Sequence, residues 1–295
     1  DHRDLHSFPT RRSSDLIEFE EGSMISAIGN NAFEGCSRIT EITLPTSVKS
    51  VGAYAFRNCT GLEKLYIGNA YGFTFGENAL MGASSLSSIE ILGSYDENGN
   101  KTSLGDLGNL GSDNNNLNII IGEGVNGLNG FVADGVKTLT VYNFDELQVN
   151  GTEEQLSSIE TLNILYYKDT LTADFMRKFG NCKNIKNVNI ADERIGVIDA
   201  GAFVDLEKVE SIVAFDKTVF DIRMFNSENL AGKKVFLKAT TNTKTSGEIK
   251  FYEIGFKSAE NLGNAITESF ANIFDVLNDD AARIYRLNID KSILQ

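Results

Sequence analysis

Residues 17–240 are predicted to form an α/β-type solenoid, in which stacked coils of about 23–26 residues each supply one short parallel strand and one short helical turn. Three observations lead there. The stretches IGNNAFEGCSRITEITL from Ile28, VGAYAFRNCTGLEKLYI from Val51 and FGENALMGASSLSSIEI from Phe75 share one pattern. It runs apolar-Gly-x-x-Ala-Phe/Leu-x-x-Cys/Ala-x-x-apolar-x-x-apolar-x-apolar, with starts 23 and 24 residues apart. The tail of that pattern recurs with its last residue at Leu44, Ile67, Ile91, Ile119, Val141, Ile164, Ile190, Ala214 and Leu237, at intervals of 22 to 28 residues. Phe19 would end an earlier copy and Ile289 a late one. Finally, each tail alternates apolar and polar residues, the period of a half-buried strand.

The chain opens with DHRDLHSFPTRRSSDL, residues 1–16, which hold both histidines of the sequence. They lack the apolar run of a secretory signal. Codon by codon they back-translate into a string resembling a common sequencing-library adaptor, so they are set aside as an artefact expected to be disordered and dispensable. The remaining chain starts at Ile17 inside or beside a strand, as in an N-terminally truncated solenoid.

In each strand alternate side chains face opposite sides. In TEITL, Ile42 and Leu44 point inward while Glu41 and Thr43 point outward. The same rule turns outward Lys64 and Tyr66, Ser88 and Glu90, Thr138 and Thr140, Thr161 and Asn163, Asn187 and Asn189, and Ser211 and Val213. All but Val213 are other than simple aliphatics, so stacking yields a parallel sheet with an apolar inner face and a largely polar outer one, the concave wall of a solenoid. After the strand comes a short return strand, and Gly29, Gly52, Gly76 and Gly196 stand where the chain leaves it, a place where glycine permits positive φ. Ala-Phe then begins the helical turn. Ala32, Ala55 and Ala202 allow close approach, and Phe33, Phe56 and Phe203 fill the space between coils.

The three cysteines are Cys36, Cys59 and Cys182. Cys36 and Cys59 occupy equivalent places in neighbouring coils, where Ala83, Leu156 and Leu206 stand in other units. That favours a buried filler, with a Cys36–Cys59 disulfide as the alternative. Residues 241–295 read as degenerate terminal repeats. Ile266, Phe270, Ile273, Phe274 and Leu277 have helical spacing, consistent with a C-terminal cap, and ARIYRLNI with a final strand.

Composition excludes several functions. With Lys and Arg at 27 against Asp and Glu at 41, the net charge is −14, which repels phosphate backbones and anionic lipid, so nucleic acid is not expected as a partner. No run of 18 apolar residues provides a membrane span. Structural zinc needs about four Cys or His ligands, and outside residues 1–16 only the three cysteines remain. General acid–base chemistry most often uses His. Carboxylate pairs such as Asp174 with Asp192 and Glu193 arise by chance in so acidic a chain, and no enzyme activity is expected. GEGVNG at 122–127 lacks the Lys-Ser/Thr of a P-loop and the Rossmann spacing. DENGN (Asp96–Asn100) and DNNN (Asp113–Asn116) offer oxygens to calcium but depart from an EF-hand loop, and read as Asx-rich turns. Asn58 and Asn150 begin glycosylation sequons. No cofactor or metal is expected.

The segment LPTSVKSVGAYAFRNCTGLEKLYI, Leu44 to Ile67, resembles the BspA-like leucine-rich repeat family, whose units run Leu/Ile-Pro-x-x-Val-x-x-Ile-Gly-x-x-Ala-Phe-x-x-Cys-x-x-Leu-x-x-Ile-x-Ile. Agreement covers about Ile28 to Ile91 and Cys182 to Ala214, and later units lack the proline found at Pro45. The resemblance implies a secreted or surface-attached bacterial protein that adheres to host matrix proteins or other cells. Its ligand is a protein, bound without catalysis. The expected contact is the concave face: Glu41, Thr43, Lys64, Tyr66, Ser88, Glu90, Thr138, Thr140, Thr161, Asn163, Asn187 and Asn189, with Tyr66 as anchor. The long interval from Asp96 to Asn116 is the alternative contact. A structural spacer, or an accessory binding module of a larger surface enzyme, is the other functional reading.

Overall fold

A computed structural model describes residues 17, 19–20, 22–107, 110, 116–129, 136–165, 168–192, 194–199, 201–215 and 218–221, together with four further strands named below. Residues 1–16 and most of the expected helix at 264–277 lie outside the described residues. The chain divides into two compact units, Asp1–Val141 with Glu146–Ile159, and Tyr142–Asp145 with Glu160–Gln295.

The first unit contains β1 (Ala27–Ile28), β2 (Glu41–Leu44), β3 (Ser50–Val51), β4 (Lys64–Ile67), β5 (Thr74–Phe75), β6 (Ser88–Gly93), β7 (Ser103–Leu104), β8 (Leu117–Gly124), β9 (Gly127–Asn129), β10 (Val136–Tyr142) and β11 (Gln148–Asn150). Even-numbered strands stack in parallel as β2-β4-β6-β8-β10, and odd-numbered ones form short return sheets, β1-β3-β5 and β7-β9-β11. The chain is thus a parallel β-solenoid whose coils close around a core. Ile42, Leu44, Leu65, Ile67, Ile89 and Ile91 are each at most 1% exposed, as are Val51 and Phe56 behind them.

Two weak repeat copies sit two residues from where the pattern puts them. Ile91 opposes Ile121 rather than Ile119, so that coil spans thirty residues. Ala214 likewise opposes Ala239, leaving Leu237 beside Ile212. A slip of two preserves the face of every side chain, which is why alternation identifies the inward set even where the register differs. Ile17 bridges Ile42 in parallel, placing Phe19 in line with Leu44.

The Ala-Phe segments are not helical. In the first coils alternate amides turn back or cross to the next coil. Glu34 N–H donates to Asn31 O at 3.1 Å and Cys36 N–H to Phe33 O at 3.1 Å. Asn31, Phe33 and Gly35 donate instead to Ala53, Ala55 and Arg57 at 3.0, 2.8 and 2.7 Å. Two columns of left-handed residues make this alternation possible: Asn31, Tyr54 and Asn78 (φ 59°, 57° and 51°), then Gly35, Asn58 and Gly82 (φ 72°, 58° and 73°). A helix would take all these amides for itself.

The repeat glycines correct another expectation. Gly29, Gly52 and Gly76 are not among the positive-φ residues. Gly52 is needed for contact, since a Cβ there would stand 2.6 Å from Asn30 N and 2.7 Å from Gly29 C; one on Gly76 would stand 2.5 Å from Ala53 N. Gly196 has open space around it and precedes the return strand, so the equivalent place in its coil belongs to Asp199.

The second unit contains β12 (Thr161–Leu165), β13 (Thr170–Leu171), α1 (Ala173–Arg177), β14 (Asn187–Ile190), β15 (Val197–Ile198), β16 (Ser211–Phe215), β17 (Val219–Asp221), β18 (Lys234–Thr240), β19 (Ile249–Phe256), β20 (Thr267–Ser269) and β21 (Ala282–Arg286). Strands β12-β14-β16-β18 continue the parallel pattern, after which β19 and β21 add antiparallel. In the return sheet β20 pairs antiparallel with β17. Thr267–Ser269, within the segment of helical spacing, is therefore strand. The one α-helix among the described residues, α1, starts where Thr172 Oγ1 accepts from Phe175 N–H and buries Phe175 and Met176.

Candidate functional site

The outer strand face of the first unit is built by ladder register alone. One column runs Glu41, Lys64, Ser88, Asn118 and Thr138; the other runs Thr43, Tyr66, Glu90, Ile120 and Thr140. Asn118 and Ile120 are not in the expected set, because their coil carries only the end of the repeat pattern; the alternation LNIII is the available signal. Lys64 Nζ lies 2.9 Å from Glu41, whose hydrogen bond is the main cause that raises the lysine pKa. Thr140 is 5% exposed rather than outward and free, and its hydroxyl donates to Asn118 Oδ1 at 2.9 Å. The face is thus open around Lys64, Tyr66, Ser88 and Glu90 and closed at Thr140.

In the second unit Thr161, Asn187 and Ser211 form one column and Asn163, Asn189 and Val213 the other. Asn189 Nδ2 donates to Asn163 Oδ1 at 2.7 Å, and Asn187 Nδ2 to Thr161 Oγ1 at 3.4 Å. All six side chains are partly exposed.

A cleft of about 610 Å³ in the same unit is lined by Asp145, Lys168, Thr170, Thr172, Asp174 and Lys178 among others. The side chains of Lys168 and Asp145 pair there. Behind it Asn143, 1% exposed, donates to Thr170 O at 2.8 Å. Asp174 is held by Arg177 at 2.6 Å. Asp192 is gripped by Arg194 at 2.7 and 2.8 Å, which holds its carboxyl below the ordinary range. A general acid needs the opposite shift. Glu193 lies outside the described residues.

The cysteines are free thiols. Burial pushes Cys59 and Cys182 up to about 12 and raises Cys36 as well. Cys59 Sγ donates to Phe33 O at 3.0 Å. Asp96 closes an Asx turn, with Oδ1 accepting from the amides of Asn98 and Asn100 at 2.9 and 2.8 Å. Asp96 Oδ2 accepts from Asn100 Nδ2 at 3.0 Å. Asp113–Asn115 lie outside the described residues. Among the described residues no group of three or more His, Cys, Asp or Glu could hold a metal, and no helix is long and apolar enough to cross a membrane.

Stacked parallel strands, one main and one short return strand per coil, around columns of Leu, Ile and Phe define a leucine-rich repeat protein. Residues 8–103 and 153–251 match the BspA type Leucine rich repeat region in 6 copies. The chain belongs to that family. Residues 8–16 of the adaptor-like segment fall inside the first match. Between the two matches the solenoid continues through β8 to β11. No curated protein matches the chain. Among solved structures it is similar to a leucine rich cell surface protein from Faecalibacterium prausnitzii A2-165, at 15% identity over 72% of this chain and 64% of that one, with a TM-score of 0.22. It is also similar to a leucine-rich repeat protein from Bacteroides ovatus ATCC 8483, at 15% identity over 72% and 70% of the two chains, TM-score 0.21. A leucine-rich repeat protein from Eubacterium ventriosum ATCC 27560 matches at 15% identity over 64% and 70%, TM-score 0.19. The chain spans 64% of the Faecalibacterium protein's length.

Proposed function

We propose that the chain is a non-catalytic protein-binding module of a secreted or cell-surface bacterial protein, adhering to host matrix or to other cells. Family membership supports the location. The observation that supports binding is the open, in-register face at Lys64, Tyr66, Ser88 and Glu90. Parallel strands lie about 4.8 Å apart, so these side chains form a wall that needs no loop to order. Tyr66 is its anchor, because an aromatic ring with a polar tip covers much area at little entropic cost. The test is the double variant Tyr66→Ala with Lys64→Glu, assayed on immobilised fibronectin and on epithelial cells. Binding falls at least about tenfold with circular dichroism unchanged, the size of a single anchor. Binding that survives the pair overturns this placement; if it is then lost on shortening 96–116, the long interval is the protein contact.

A further inference from the structure

The thirty-residue coil between Ile91 and Ile121 contains more chain than its turn requires, and the surplus builds a small projecting hairpin. Tyr95 and Lys101 bridge antiparallel. The hydroxyls of Ser94 and Thr102 meet at 2.6 Å, and Asp96 closes the tip. The Tyr95 ring rests on bare backbone: a Cβ on Gly93 would lie 2.5 Å from its Cε2, and one on Gly124 2.7 Å from its Oη. That side of the ring is therefore backed by the main chain, while the residue remains 38% exposed. A second tyrosine is fixed beside it by a shared amide. Asn69 Oδ1 accepts from Tyr71 N–H at 3.0 Å and from Tyr95 N–H at 2.9 Å, and Asn69 Nδ2 donates to Tyr95 O at 3.1 Å. Tyr71 and Leu92 are each 42% exposed. Tyr71 and Tyr95 stand at equivalent places in neighbouring coils, each four residues after the paired Ile67 and Ile91.

We propose that this rim is a binding site for a neutral saccharide, stacked on Tyr95 with Tyr71 beside it. Size argues for a small ligand. Three side chains of this exposure offer on the order of 300 Å², well short of the roughly 800 Å² each partner buries in a stable protein interface. Charge argues for a neutral one. In a chain of net charge −14, the rim sets Lys49 and Lys101 among Asp96, Glu97 and Glu123, a near balance. Both lysines point at carbonyl oxygens, of Tyr71 at 3.0 Å and Glu123 at 2.8 Å. A pyranose has an apolar C–H face and a hydroxyl edge, which complements an aromatic face bordered by polar groups.

The chain has 9 tyrosines and no tryptophan, so its intrinsic emission reports on tyrosine directly. The full chain is titrated with maltoheptaose and with cellohexaose, and polygalacturonate serves as the anionic comparison. A saturable change in tyrosine emission is expected with at least one neutral oligosaccharide below about 10 mM. Tyr95→Ala weakens it at least about tenfold, Tyr95→Phe keeps it within about threefold, and Met24→Ala, at an exposed residue elsewhere, leaves it unchanged. Gly93→Ala tests positioning, because its Cβ displaces the exposed ring without meeting buried side chains; binding is lost while thermal unfolding is kept. The proposal is overturned if neither neutral oligosaccharide perturbs the emission, if polygalacturonate alone binds, or if Tyr95→Ala and Gly93→Ala bind as the parent does. Loss of fibronectin binding in Tyr95→Ala without any saccharide signal makes the rim a protein contact instead. Leu92 follows Glu90 on the outward face of β6, but Tyr95 is not part of that wall, so Tyr95→Ala and the Tyr66→Ala with Lys64→Glu pair let either assignment fail alone.

Discussion

Phe56 is fully buried and stacks on Phe33 of the preceding coil, with ring centroids 5.3 Å apart and planes 13° from parallel. Emptying such a site costs about 3–5 kcal/mol, whereas surface truncations away from special contacts stay within about 0.5 kcal/mol. Denaturant titration of Phe56→Ala and Tyr66→Ala is therefore expected to separate the two widely, and equal losses would mean the strand register is wrong. These interior columns were legible because a side-chain period of two needs no knowledge of neighbours. The role of Gly52 was not, since it depends on how closely the coils approach, a distance no single repeat encodes. The thiols extend the argument to reactivity. At pH 8 Cys36 should label first with a maleimide, and Cys59 and Cys182 only on unfolding; equal rates would contradict their burial. Their folded pKa lies above the ordinary 9.0. The stability they contribute is thus complete below pH 9 and lost as pH climbs from 9 towards 12.

Elements were legible in existence more than in kind. Every strand of the main sheet through β18 falls on the alternating tails, yet the Ala-Phe segments became inter-coil turns instead of helix. The hairpin at 94–102 was visible only as surplus length and Asx-rich composition. Its tip depends on one carboxylate: hydrogen bonds from the Asn100 side chain and backbone, then from Asn98 and Gly99, hold Asp96 below its ordinary 3.8. A depressed carboxyl supports structure above 3.8 and loses that support as pH falls through the lower folded value. Amide protection factors at Asn98 and Asn100, taken against the intrinsic rate at each pH, should fall as the solution is acidified below pH 4, and Asp96→Ala should reproduce this at pH 7. Protection that ignores both changes would show that the turn is held elsewhere.

For the whole molecule the deciding quantity is charge. A surplus of 14 negative charges repels itself, and salt screens that repulsion over about 10 Å at 0.1 M. Exposed pairs such as Lys64–Glu41 and Lys186–Glu160 lose little in return, since solvent already screens them and ordering two long side chains offsets their attraction. Raising sodium chloride from 20 to 200 mM is expected to raise the melting temperature; a fall would mean that ion pairs outweigh repulsion. The acidic balance was legible from composition. How the charges are distributed was not, because columns such as Glu34 with Arg57 exist only once residues 23 apart lie side by side.

The crossing amides of the Ala-Phe turns have a direction, opposite to that of Gly52, Glu63, Gly68 and Gly76, whose amides donate back to Ile28, Thr40, Leu44 and Val51. Asn31, Phe33 and Gly35 donate forward to the coil after them, and Tyr54, Phe56 and Asn58 do the same to Glu77, Ala79 and Met81. Along the turn edge alone, the C-terminal side of the array bears amide hydrogens in search of acceptors and the N-terminal side bears carbonyls. Water satisfies a spare carbonyl more readily than a buried N–H tolerates having no partner. At this edge a duplicated coil meets waiting donors on the C-terminal side of its parent, and it presents the same donors in turn to whatever follows.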